Sequence, residues 1–126
     1  MEAFFGTWKL AKKVNIDEFM KAVGAKPSDD SNLTETVYKE GDYFVWKVKR
    51  GREGREIKFK LDKAFQDGLI EGRPCTSTIS FKGKQVVQVK KWGTKEILIT
   101  RDINANVMIT TLSFAGVQGQ RIYQKV

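Results

Sequence analysis

The sequence predicts an all-β protein, a meandering antiparallel sandwich or barrel of about ten strands with one short helix after the first. Three observations lead there. From Leu33 onward, short β-branched and aromatic runs alternate with turn residues at a spacing of about ten, the pattern of successive hairpins. Only Asn15 to Val23 has helical periodicity. The 126 residues, 40% of them hydrophobic, supply one core and leave little room for a second, so residues 1–126 are read as a single domain.

Phe5 to Ala11 forms the first strand. In the helix, Ile16, Phe19, Met20 and Val23 fall on one stripe, Asn15 stands at the N-cap, Glu18 completes a capping box, and Gly24 supplies the stop. The strands Leu33 to Lys39, Tyr43 to Lys49, Glu56 to Leu61, a weak run near Leu69, Thr76 to Phe81, Gln85 to Trp92, Lys95 to Arg101, Val107 to Phe114 and Val117 to Lys125 follow. Pro27 and Pro74, the only prolines, fall between elements.

Composition removes several chemistries. There is no histidine and one cysteine, Cys75, so histidine-based acid–base or nucleophilic catalysis, a His/Cys metal site and an internal disulfide are not expected. No run approaches the roughly 20 apolar residues of a membrane-spanning helix. Met1 to Gly6 lacks the basic and apolar regions of a secretory signal. The 23 Lys+Arg against 15 Asp+Glu give a net charge of +8, which favours an anionic partner without choosing among nucleic acid, a phospholipid surface and an acidic small molecule.

Alternation in the late strands is unusual. Arg101 shares a face with Ile97 and Ile99, while Arg121 and Tyr123 share the other face from Ile122. By pattern alone these groups either lie on a solvated face or project into a ligand-holding barrel.

Ala3 to Leu10, Asn15 to Gly24, Glu56 to Leu61, Val89 to Trp92 and the ending Gln120 to Val126 resemble the intracellular lipid-binding proteins, the fatty-acid-binding and retinoid-binding family. Gly6-x-Trp8 alone is weak, since lipocalins share it; the early helix, hairpin spacing and Arg-x-Tyr ending together are specific. The resemblance implies a ten-stranded antiparallel up-and-down barrel, or β-clam, with a helical lid between its first two strands. It also implies a carboxylate clamp of Arg101, Arg121 and Tyr123. On the inward register those arginines set, Phe19, Val23, Trp46, Ile99, Met108 and Leu112 are the candidate cavity wall, and Trp8 plugs the closed end. The implied function is a non-enzymatic, monomeric, cytoplasmic or nuclear carrier of a long-chain fatty acid or similar carboxylate, with no cofactor and no metal. Retinoid, bile acid or acyl-CoA are alternatives for the same cavity. In the empty barrel, two internal arginines call for ordered water or a counter-anion.

The chain departs from its relatives between Gly24 and Leu33, which is too short for a full second lid helix, so that helix is expected to be shortened or missing and the portal more open. Relatives usually carry a phenylalanine at the portal hairpin; this chain has the basic turn Lys49 to Arg55. Arg50, Arg52 and Arg55 there are either a transient docking patch for anionic membranes or a solvated tip. The alternation through Val86, Gln88 and Lys90 either aims the Lys90 amine inward or leaves it solvated, the solvated reading being preferred; Cys75 is expected to be an inert thiol, and Asp29 and Asp30 to be turn or cap residues. The sequon Asn32-Leu33-Thr34 is read as chance. A more remote alternative, a single-stranded nucleic-acid barrel, draws on the basic run Lys47 to Lys60 with Phe44, Trp46 and Phe59; no nucleic-acid partner is expected.

Overall fold

A computed structural model describes residues 1–26, 29–70 and 72–126. A 3-10 turn, Glu2–Phe4, precedes strand β1 (Gly6–Val14) and helix α1 (Ile16–Val23). Nine strands follow: β2 (Leu33–Glu40), β3 (Tyr43–Arg50), β4 (Glu53–Phe59), β5 (Phe65–Ile70), β6 (Arg73–Lys82), β7 (Gln85–Trp92), β8 (Lys95–Asn104), β9 (Val107–Phe114) and β10 (Val117–Lys125). All ten form one antiparallel sheet in the order β4-β3-β2-β1-β10-β9-β8-β7-β6-β5, a nearly closed up-and-down barrel. This is the β-clam the sequence predicts, and it resolves the choice between sandwich and barrel. Its two sheet edges, β4 and β5, meet through side chains. Phe59 stacks on Phe65 at 6.0 Å between ring centroids, and Arg55 on β4 bonds Asp67 on β5.

Two apolar clusters fill the ends. At the closed end Phe4, Trp8, Leu33, Val37, Trp46, Phe59, Ile79, Val86, Met108 and Tyr123 pack together. Trp8 is wholly buried and donates Nε1–H to the Phe4 carbonyl at 3.0 Å, the plug the sequence predicts. At the other end the α1 stripe of Ile16, Phe19 and Val23 packs on Trp92, Ile97, Ile99 and Leu112.

The helix is positioned by β10. A Cβ at Gly119 would stand 3.0 Å from the Asn15 carbonyl oxygen and from Ile16 Cδ1, and 3.2 Å from Phe19 Cβ, so glycine is what lets α1 lie this close. Asn15 occupies the N-cap position but does not cap with its side chain. It adopts a left-handed conformation, φ 55°, and its amide donates to the Gln118 carbonyl at 2.7 Å, tying the helix start to β10. Glu18 pairs with Lys21 instead of closing a capping box. Gly24, at φ 85°, ends the helix through bonds to Met20 and Lys21.

Between α1 and β2 the described residues 25, 26 and 29–32 form no helix. The expected loss of the second lid helix also involves Pro27 and Ser28, which lie outside the described residues. No helix among the described residues is long and apolar enough to cross a membrane.

Candidate functional site

Strand alternation puts a belt of polar side chains between the two apolar clusters. Leu33 and Val37 face inward on β2, so Glu35 between them does too; Ile97 and Ile99 carry Arg101 inward on β8; Tyr123 carries Arg121 on β10. The belt surrounds a cavity of about 390 Å³. Its apolar wall includes Phe19, Met20, Val23, Val48, Ile99 and Leu112, and its charged wall Glu35, Arg50, Arg55, Lys90, Arg101 and Arg121. A smaller hollow of about 100 Å³ continues it past Trp46, Asp67 and Gln88.

Of the residues expected at the wall, Phe19, Val23, Ile99 and Leu112 line the main cavity and Trp46 the smaller hollow. Met108 lies in the closed-end cluster and touches neither, because Trp8, Val86 and Tyr123 pack around it. Arg101, Arg121 and Tyr123 do meet in one cavity.

The expected counter-anion is part of the chain. Among the described residues three carboxylates are taken out of water, Asp30 at 4% exposure, Glu35 at 7% and Asp67 at 4%. Asp30 accepts from Arg121 Nε at 3.1 Å and Arg50 Nε at 2.9 Å, with Lys13 Nζ at 3.8 Å. Glu35 accepts the Tyr123 hydroxyl on one oxygen and Trp46 Nε1–H on the other. Asp67 accepts from Arg55, from Ser77 Oγ at 2.6 Å and from Gln88 Nε2 at 3.3 Å, with Lys90 Nζ at 3.5 Å. Gln88 in turn accepts from Arg101 Nη1 at 3.0 Å, and the Arg101 guanidinium lies 4.5 Å from the Trp46 ring centroid. Each of these carboxylates thus has hydrogen-bonding or cationic partners, which is the condition for tolerating buried charges.

Several sequence expectations change accordingly. Asp30 is an internal ion-pair residue, while Asp29 does make the expected turn, accepting from Ser31 N–H at 3.1 Å. Lys90 is internal, at 16% side-chain exposure, because β7 alternation carries it inward to Asp67. Of the three portal arginines only Arg52 projects freely at the hairpin tip; Arg50 and Arg55 are drawn to buried Asp30 and Asp67. Burial raises the Cys75 thiol above its ordinary pKa, which keeps it protonated and unreactive. The roles of Glu35 and Asp67 went unrecognised in the sequence. Glu35 had a signal, since strict alternation between Leu33 and Val37 points it inward.

Electrostatics follow from these partners. Burial lowers the pKa of Arg101, opposed by the negative charge of Glu35 and, more weakly, of Asp67. Burial also raises Tyr123, and the adjoining Glu35 carboxylate adds to the rise. The Tyr123 proton is therefore held on the Glu35 bond.

Three buried polar atoms have no hydrogen-bond partner among the described residues: Arg101 Nε, Thr110 Oγ1 and Arg121 Nη2. They belong to one row. Thr110 on β9 pairs with Arg101 on β8 on one side and Arg121 on β10 on the other, so the two arginines flank it across two strand spacings, about 10 Å between backbones. All three residues line the main cavity. Unsatisfied donors at buried positions are costly, and donors in this arrangement suit an anion with oxygens on both sides.

No family model matches the sequence. The chain is 33% identical, over an alignment of 135 positions, to the bilirubin-inducible fluorescent protein UnaG of Anguilla japonica, with 99% of this chain and 97% of that one covered. The crystal structure of wild-type UnaG superposes with a TM-score of 0.89 at 30% identity, covering 99% of this chain and 98% of that one. The crystal structure of Echinococcus granulosus fatty-acid-binding protein 1 superposes with a TM-score of 0.90 at 25% identity, covering 100% and 99%.

Proposed function

The chain belongs to the intracellular lipid-binding protein family, and from that premise we propose that it is a non-enzymatic, monomeric intracellular carrier of a long-chain fatty acid or similar amphipathic carboxylate. The observation that carries this reading is the inward row Arg101, Thr110 and Arg121, with an unpartnered polar atom on each.

In this mechanism the acid group bridges Arg101 Nε and Arg121 Nη2 over Thr110 Oγ1. Asp30 accepts from Arg121 Nε while Nη2 has no partner among the described residues, so the ligand takes Nη2 without displacing Asp30. Tyr123 gives its hydrogen to Glu35; its part is to fix that carboxylate and the floor of the cavity. The alkyl tail lies against Val48, Ile99, Leu112 and the α1 stripe. There each buried CH₂ contributes about 0.8 kcal/mol.

A second ligand has a specific observation behind it. The relative at 33% identity is named for bilirubin, an apolar pigment acid that the same row would receive.

Calorimetric titration with oleic acid and with bilirubin tests the reading. We expect saturable binding of at least one, weakened about tenfold to a hundredfold in Arg101→Met by loss of one charge-assisted contact. Arg101 is the informative position because Arg121→Met would also take one ion-pair partner from the buried Asp30. Unchanged affinity in Arg101→Met would remove the clamp; binding of neither acid would remove the carrier function.

A further inference from the structure

The charges inside the barrel do not balance. Among the described residues, five cations line the cavity, Arg50, Arg55, Lys90, Arg101 and Arg121, with Glu35, against the three buried carboxylates Glu35, Asp30 and Asp67, the last two beside it. The surplus of two is divided between two places. Around the row, Arg50, Arg101 and Arg121 face Asp30 and Glu35. Beside the β4–β5 edges, Arg55 and Lys90 share the single carboxylate of Asp67. Arg55 is half-exposed and partly screened by water, so Lys90 carries the second surplus.

The two poles are far apart along the barrel wall. Lys90 pairs with Ile97, four residues before Arg101 on β8, which is about 13 Å along an antiparallel strand. Ile97 and Ile99 form the apolar wall between them, and Lys90 and Arg101 both line the main cavity. One compact anion on the row therefore leaves Lys90 with only the Asp67 carboxylate, which it shares with Arg55.

We propose that the ligand this cavity is built for carries two acidic groups at opposite ends of an apolar body, one received by Arg101, Thr110 and Arg121 and the other by Lys90 with Arg55. This rests on the carrier reading above and narrows its ligand class. A monocarboxylate satisfies the row but lays its tail against a charged amine; a diacid of matching length satisfies both poles.

Matched acids decide the question. Dodecanedioic and dodecanoic acid, which have the same chain, are titrated calorimetrically at low ionic strength into the wild type, Lys90→Met and Lys90→Gln. We expect the diacid to bind the wild type about tenfold or more tightly than the monoacid, as a charge-assisted contact in a partly buried site allows, and the ratio of the two affinities to fall to about one or below in both variants. In a cavity with one cationic pole the second carboxylate would be desolvated without a partner and the diacid would bind more weakly. Dodecanoic acid binding as well as or better than the diacid in the wild type overturns the proposal and leaves the carrier reading standing. A ratio that survives both substitutions overturns the assignment of the second pole to Lys90. Binding of neither acid overturns this proposal; loss of oleic acid and bilirubin binding as well is what overturns the carrier reading itself.

Discussion

Tyr123 shows how much one side chain depends on its neighbours. Its hydroxyl is wholly enclosed and bonded to Glu35. Burial first, and the Glu35 charge second, push its pKa above the ordinary value. Below about pH 10, the ordinary tyrosine value, both folded and unfolded chains keep the proton and stability is unaffected. Above it the unfolded chain releases the proton while the folded chain holds it, so stability falls by up to about 1.4 kcal/mol per pH unit. Urea unfolding followed between neutral and strongly alkaline pH should show this decline, and Tyr123→Phe should flatten it. An identical alkaline slope in the two proteins would mean that Tyr123 ionises freely in the folded state. At neutral pH the same substitution takes one donor from buried Glu35, at a cost of about 1–3 kcal/mol.

At the scale of elements, helix α1 and strand β10 are fitted to each other through an absent side chain. Gly119 gives the Asn15 carbonyl, Ile16 and Phe19 their approach, and Asn15 bonds the Gln118 carbonyl beside it. Gly119→Val should therefore force α1 off the strand, with an overpacking cost of about 1–3 kcal/mol. Chemical denaturation reads that loss. Hydrogen exchange should show it centred on α1, with the β6–β7 hairpin protected as before. Exchange unchanged in α1 would mean that the helix is held by its apolar stripe alone. The helix periodicity was legible in the sequence because Ile16, Phe19 and Val23 must share one face. The role of Asn15 was not, because a cap residue and a tether to a distant strand look the same in the sequence: its partner Gln118 is 103 residues away.

For the whole molecule, closure of the barrel rests on a gap crossed by side chains. β4 and β5 are the two ends of the sheet, and Asp67 joins them through Arg55 while also holding Ser77, Gln88 and Lys90. Removing one member of such a buried ion-paired group typically costs 3–5 kcal/mol. Asp67→Ala should lose stability on that scale and raise hydrogen exchange along β4 and β5 more than along β9 and β10. Uniform exchange across the sheet would show that the gap is closed by Phe59 and Phe65 without the charge network. Part of the net charge of +8 is internal: among the described residues Arg50, Arg55, Lys90, Arg101 and Arg121 line the cavity, with Glu35 beside them and Asp30 and Asp67 buried behind.

The sequence by itself determined an all-β meander with one helix and the apolar neighbours with which Arg101 shares a face; that this face is turned inward followed only from the resemblance to lipid-binding proteins. Period-two alternation, turn residues every ten or so positions and one helical stripe leave few ways to bury the apolar faces, and the strand that buries Ile97 and Ile99 must also bury Arg101. Only the tertiary structure decided what Arg101 and Arg121 meet. Asp30 reaches Arg121 across 91 residues and Glu35 reaches Tyr123 across 88, and alternation fixes which face a side chain takes without fixing its partner across the barrel. That partnering engages Tyr123 with Glu35 and Arg121 Nε with Asp30, leaves Arg101 Nε, Thr110 Oγ1 and Arg121 Nη2 without partners among the described residues, and brings Lys90 to Asp67, because buried charge is tolerated where the closed barrel supplies its complement.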